Sequence, residues 1–175
     1  KYLIAQEVDY KWGLVTTTVG VQEGASGMSY PYGDHPAQYH FNQEKGRVLD
    51  EFQVVYIIRG AGWFESAHCV RTKISAGDAF IIFPGESHCY LPDTEIGWAE
   101  AWVGFKGECA NHLVRQGFFH RSSPIFKVGV HEALWSLFRQ AYDCAIRQKP
   151  AYQQQLAGYV NLILSSIYAE SKQPA

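Results

Sequence analysis

Gly77-Asp-Ala-Phe-Ile-Ile-Phe-Pro-Gly-Glu-Ser-His88 decides how this chain folds. Gly77-Asp78 reads as a turn, the apolar run after it as a short buried strand, and Pro84-Gly85 as the next turn. His88 then opens a further strand. Side chains alternate along a strand, so the imidazole shares one face with Tyr90. Glu86, inside the Pro-Gly-Glu turn, reads as a solvent-exposed carboxylate.

The same punctuation continues on both sides. Residues 52–59 form an apolar run rich in β-branched side chains, and Gly60-Ala-Gly62 reads as a turn into a strand at 63–66. Strands at 70–75, 79–84, 87–91 and 98–105 follow, with Pro92-Asp93 as another turn. Short strands spaced about 8–12 residues apart mark an all-β sandwich or barrel, and no helical pattern separates them as a βαβ fold would require. Upstream, 14–21 is a Val- and Thr-rich strand. Residues 27–41 hold too much Gly and Pro for regular structure, and their tyrosines are expected to form a lid over a pocket.

Beyond residue 107 the period changes from two to that of a helix. A short helix is expected at 108–116, a strand at 125–128 after Pro124, and longer helices at 131–148 and 151–171, the second with Pro150 in its first turn. Leu134, Leu137, Phe138, Ala141 and Ala145 line one face of the first. Leu156, Val160, Ile163 and Ile167 line the second, and Tyr159, Leu162, Leu164 and Tyr168 widen it. That face exceeds what one packed neighbour requires. It predicts a homodimer with Leu156, Val160, Ile163 and Ile167 at the interface. The expected organisation is a β-barrel with an N-terminal arm over 1–128 and a helical dimerisation and linker region over 129–175.

Composition agrees with a folded domain: 175 residues, 47% hydrophobic and 15% aromatic. The net charge of −2 carries no nucleic-acid signature. Lys and Arg number 7 against 13 Asp and Glu in residues 1–105, and 8 against 4 in 106–175, a pattern that solvated helix faces explain. Cys69, Cys89, Cys109 and Cys144 form no C-x-x-C pair and read as reduced thiols of a cytoplasmic protein. No stretch approaches the ~20 apolar residues of a membrane span. The polar end Ser171-Lys-Gln-Pro-Ala175 reads as a linker, so a longer protein is expected.

Little in the sequence points to catalysis. Ser87 and His88 are adjacent on an extended segment and point to opposite faces. There is no nucleophile elbow, and Gly60-x-Gly62 lacks the rest of a dinucleotide fingerprint. Ligand binding is better supported. His88 and Tyr90 share one strand face, and Trp98, Glu100 and Trp102 share one on a neighbouring strand. Directed inward, these residues supply aromatic planes for the C–H face of a sugar and polar groups for its hydroxyls. Arg47 is placed at the rim, able to bind a ring oxygen or a carboxylate. A one-residue slip in register would reverse these assignments.

The opening segment resembles the second sequence motif of cupin β-barrels, whose histidine often binds a metal. The wider stretch from Arg47 to Phe105 resembles the ligand-binding domain of AraC/XylS-type bacterial transcription regulators. The residues that carry it are Arg47-Val-Leu-Asp-Glu-Phe-Gln-Val-Val-Tyr-Ile-Ile-Arg-Gly-Ala-Gly-Trp-Phe-Glu65, Gly77-Asp78, Phe83-Pro-Gly-Glu-Ser-His-Cys-Tyr90 and Trp98-Ala-Glu-Ala-Trp-Val-Gly-Phe105. The resemblance implies a mainly β fold with C-terminal α-helices: a cupin-like double-stranded β-helix, or jelly roll, followed by an antiparallel helix pair used for dimerisation. It also matches His88, Tyr90, Glu100 and Trp102 to positions lining the sugar pocket of the arabinose regulator. Cupin metal sites draw two histidines and a carboxylate from the strand before a turn glycine such as Gly60. Here that window contains no histidine, so neither metal nor other cofactor is expected. The family's helix-turn-helix motifs also have no counterpart here, and DNA is expected as a partner only through such a missing domain. The expectation is thus an effector-sensing domain, not an enzyme, binding a small polar molecule, a sugar. The alternative is a stand-alone cupin isomerase or hydrolase using Glu100 and His88 as acid and base.

Overall fold

The computed structural model describes residues 1–23 and 46–174, so the tyrosine-rich stretch expected to form a lid lies outside the described residues. A short helix α1 (Glu7–Lys11) precedes strand β1 (Val15–Glu23). Six strands follow: β2 (Phe52–Ser66), β3 (Cys69–Ser75), β4 (Asp78–Ile82), β5 (His88–Pro92), β6 (Trp98–Lys106) and, after helix α2 (Glu108–Arg115), β7 (Ile125–Lys127). The chain closes with α3 (Glu132–Arg147) and α4 (Tyr152–Ser171).

Every strand pairing among the described residues is antiparallel. The order β1-β6-β2-β4-β7 makes one sheet, and β3 and β5 flank the far half of β2. β2 is therefore common to both halves. Gln53 to Tyr56 pair with β4, Phe52 to Gly60 with β6, and Gly62 to Ser66 with β5. The sequence reading splits this strand with a turn at Gly60-Ala-Gly62. In fact Gly60 takes φ +93° beside a register shift between Ile57 and Arg59, so the strand bends without reversing. Only glycine fits there, since a Cβ on Gly60 would lie 2.1 Å from the Gly97 carbonyl oxygen.

Alternation sorts the strand residues into two apolar clusters. Phe52, Val54 and Tyr56 of β2, Ala79 and Ile81 of β4, and Ala99, Ala101, Val103 and Phe105 of β6 pack with the helices. Val55, Ile57 and Phe64 of β2, Phe80 and Ile82 of β4, Tyr90 of β5 and Trp98 of β6 pack with one another on the opposite, interior face. The alanines on the helix-facing side leave room for Trp135 and Phe138 of α3. The Tyr56 ring lies 6.1 Å from that of Phe138, and its hydroxyl donates to Gly129 O at 2.7 Å while accepting from His131 N at 2.9 Å. α4 is fixed at its first turn. The buried Gln153 amide accepts from Thr16 N and donates to Thr16 O, both at 2.9 Å, beside the register shift in β1. It satisfies two backbone groups that the irregular strand leaves unpaired.

This packing corrects the interface assignment. Leu156, Val160, Ile163 and Ile167 are each 0% exposed within the single chain and belong to the cluster shared by helices and sheet. They are core residues, each stabilising the monomer by roughly 1.5–3 kcal/mol, and cannot meet a second copy. The wide apolar face reflects two sets of neighbours, α3 and the sheet. Pro150 also lies outside α4, in the turn before the N-cap Ala151.

Candidate ligand-binding site

The interior face carries more than apolar filling. Arg47 pairs with His88 as an isolated antiparallel bridge, with Arg47 N donating to His88 O at 2.7 Å and His88 N to Arg47 O at 2.9 Å. Residues directly opposite in such a pair share a face. Arg47 Nε accordingly donates to His88 Nε2 at 2.9 Å, and Nη2 reaches the Tyr90 hydroxyl at 3.3 Å. The Arg47 guanidinium also lies 5.7 Å from the Tyr90 ring centre. Because Nε2 accepts, the ring proton sits on Nδ1, which donates to Glu86 O at 3.3 Å. Burial, and after it the Arg47 charge, lowers the His88 pKa to about 3.

Strand β6, which pairs with β1 and β2, supplies the rest. Trp98, Glu100 and Trp102 alternate with helix-facing Ala99 and Ala101, so all three turn inward. Trp98 Nε1 donates to Glu100 Oε2 at 2.5 Å, and Trp102 Nε1 to Thr18 Oγ1 at 3.3 Å. Both indoles are accommodated by glycines on adjoining strands. A Cβ on Gly20 would approach the Trp102 ring to 2.1 Å, and one on Gly62 the Trp98 ring to 2.5 Å. Tyr90 links the two strands, its ring 6.1 Å from that of Trp98 and 5.0 Å from that of Phe80. Trp98 is fully buried filling, whereas Trp102 is only partly buried. Glu100 is buried as well, which is inconsistent with the one-residue slip that would turn it outward.

Two polar neighbours, Glu51 and Tyr2, escape the sequence reading. Glu51 is buried, accepts from Thr17 Oγ1, and takes a 3.4 Å bond from Gln53 Nε2. Its alternation with Gln53, Val55 and Ile57 is the signal that places it inward. Tyr2 pairs beside Thr18 at the edge of β1. Burial pushes its phenol up to about 12, with the Arg47 charge opposing and Tyr90 and Glu51 adding to the rise. No sequence signal marks Tyr2, because a short N-terminal pairing has no period to read.

The metal chemistry implied by a cupin histidine does not fit these residues. His88 Nε2 faces a guanidinium and Nδ1 a backbone carbonyl, leaving neither nitrogen directed at a cation. Among the described residues no three His, Cys, Asp or Glu side chains converge as ligands. The same bonds make His88 a poor acid or base near neutral pH.

Residues 26–164 match the family described as the AraC-like ligand binding domain. The chain belongs to that family. As an AraC-like domain it is similar to the raffinose operon transcriptional regulatory protein RafR of Pediococcus pentosaceus, 30% identical over 74 residues, which cover 42% of this chain and 27% of RafR. Among solved structures it is similar to the AraC-like transcriptional activator CuxR, with 13% identity, TM-score 0.36, and coverage of 72% of this chain and 44% of CuxR. A mutant of Bacillus subtilis oxalate decarboxylase OxdC aligns at 17% identity and TM-score 0.30, over 37% of this chain and 18% of that enzyme. The match thus spans less than half the length of each of these proteins. No described helix is long and apolar enough to cross a membrane.

Proposed function

We propose that this AraC-like domain is the effector sensor of a bacterial transcription regulator and that its effector is a sugar, bound without being consumed. The observation that carries the reading is the company of Arg47, His88, Tyr90, Glu100 and Trp102 on an interior face whose other side chains, Glu51 and Gln53 apart, are largely apolar. Burying an arginine and a carboxylate there costs stability, which a ligand-binding role explains. Partly buried Trp102 offers a plane to a sugar ring, and Arg47 and Glu100 offer charged hydrogen bonds to hydroxyls. RafR, named for a raffinose operon, supports a saccharide. A calorimetric series should therefore cover raffinose, its component sugars, and other pentoses, hexoses and uronic acids. The expected result is one sugar whose affinity falls about tenfold or more in Trp102→Ala and in Glu100→Gln, or ~1–3 kcal/mol for each interaction removed. Circular dichroism checks that both variants stay folded. Failure of every sugar at millimolar concentration, or unchanged affinity in both variants, rejects the proposal.

The domain further acts as a homodimer in the cytoplasm, and sugar binding shifts the helix pair so as to reposition DNA-binding units outside residues 1–175. Because the inner α4 residues are buried, support for a dimer moves to the outer surface. Leu113, Phe118, Phe119, Leu162, Leu164 and Tyr168 line an apolar groove of about 570 Å³ between α2 and α4. Leu162 is 50% exposed and Phe118 46%. Light scattering at micromolar concentration should give twice the chain mass, and Leu162→Glu should give a folded monomer. A monomeric unmodified chain, or a Leu162→Glu dimer, defeats this interface.

A further inference from the structure

We infer that Glu86 is a positioning residue of the ligand pocket, clamped by His68 and Arg121 so that its main chain sets the tautomer of His88 and the direction of Arg47. The inference rests on the ligand-binding reading of Arg47 and His88. It starts from a disagreement with the sequence: in a Pro-Gly-Glu turn Glu86 reads as exposed, yet its side chain is only 2% accessible. Two side chains from distant segments hold the carboxylate. His68 Nδ1, from the turn between β2 and β3, lies 2.7 Å from Glu86 Oε2. Arg121 Nη1, from the connector between α2 and β7, lies 3.4 Å from the same oxygen, and Nη2 donates to Pro84 O at 3.1 Å. The Arg121 guanidinium also sits 5.2 Å from the Phe83 ring centre.

The main chain around this carboxylate is tied as closely. Gly85 N donates to Leu49 O at 2.8 Å, Ala67 N to Ser87 O at 2.9 Å, and Gly85 takes φ +75°, which suits glycine. His88 Nδ1 in turn donates to Glu86 O. A carbonyl accepts and cannot donate, so it selects the Nδ1-protonated ring. Nε2 must then accept, and its partner is Arg47 Nε, which turns Nη2 toward Tyr90. Freeing the Glu86 carboxylate leaves a turn of Pro84, Gly85 and Ser87 able to swing that carbonyl away. The imidazole then keeps its Nδ1-protonated form through Arg47 Nε alone, and once the freed ring turns it can protonate Nε2 and take that acceptor from Arg47. The clamp also links the pocket wall to the 116–124 connector ahead of α3, through Arg121.

Long-range ¹H–¹⁵N correlation spectra of His88 test this without any effector. In the unmodified chain His88 should show the Nδ1-protonated neutral form alone. In Glu86→Gln and Arg121→Gln the Nε2-protonated form should rise to about a third or more of the population, with Arg121→Lys restoring the original spectrum in part. A merely structural role would lower the melting temperature and leave the tautomer unchanged, and that result overturns the inference. If Glu86→Gln does not fold, Arg121→Gln and His68→Ala decide, since those side chains are 40% and 56% exposed. An unchanged tautomer in both again overturns it. Titrating the same samples with raffinose and the other sugars of the calorimetric series keeps the readings apart, because failure of every sugar rejects the sugar proposal and leaves the tautomer result standing.

Discussion

Ile163→Glu should unfold the domain, not divide a dimer. Ile163 is 0% exposed in one chain, enclosed by the cluster that α3, α4 and the helix-facing side of the sheet share. A carboxylate placed there gains no described partner and must either stay charged in an apolar interior or be protonated. Together with the lost apolar packing this costs about 4 kcal/mol or more, a large part of a small domain's whole stability. The neighbouring Leu162 is half exposed, and a charge there should leave the melting temperature within a few degrees of the unmodified chain. Thermal denaturation followed by circular dichroism separates the two positions. A folded, monomeric Ile163→Glu protein would return that residue to an interface and refute its assignment to the core.

That pair of residues marks where the sequence stops being informative. Periodicity locates α4 and its apolar face correctly, because a helix repeats every 3.6 residues wherever it packs. It does not say whether the face meets a sheet, a helix or another molecule, since an apolar stripe looks the same against each. On β6 the two-residue period is decisive. Ala99 and Ala101 face the helices, so Trp98, Glu100 and Trp102 face inward together. The bend in β2 is hidden because Gly60-Ala-Gly62 carries the composition of a turn, and only the pairing on both sides shows that the strand continues. Glu86 looks exposed in the sequence because its burial is set by His68 and Arg121, 18 and 35 positions away. Local composition reports the turn and not what folds over it. Nothing local joins Arg47 to His88 either, and the bridge between them spans 41 positions.

The domain should also lose stability as pH falls from 8, well before most carboxylates titrate, because His88 is buried neutral. Its folded pKa is lowered to about 3, from an ordinary value near 6.5, by burial first and the Arg47 charge second. Below pH 6.5 the unfolded chain takes up a proton at this ring that the folded chain refuses. Stability therefore rises with pH between 3 and 6.5, and the contribution is complete above 6.5 and lost as pH falls toward 3. Linkage puts the loss at about 2 kcal/mol by pH 5 and about 4 kcal/mol by pH 3, relative to pH 8. Urea denaturation between pH 8 and 5 measures the first part, and His88→Gln, which does not titrate yet can accept from Arg47, should flatten the curve over that interval. The His88 ring resonances of the folded protein should stay in the neutral state down to pH 4.5. A titration midpoint near 6.5 would mean that the imidazole is open to water and that Arg47 does not hold Nε2. The interior face would then lack the fixed Arg47–His88–Tyr90 arrangement on which the proposed sugar recognition rests.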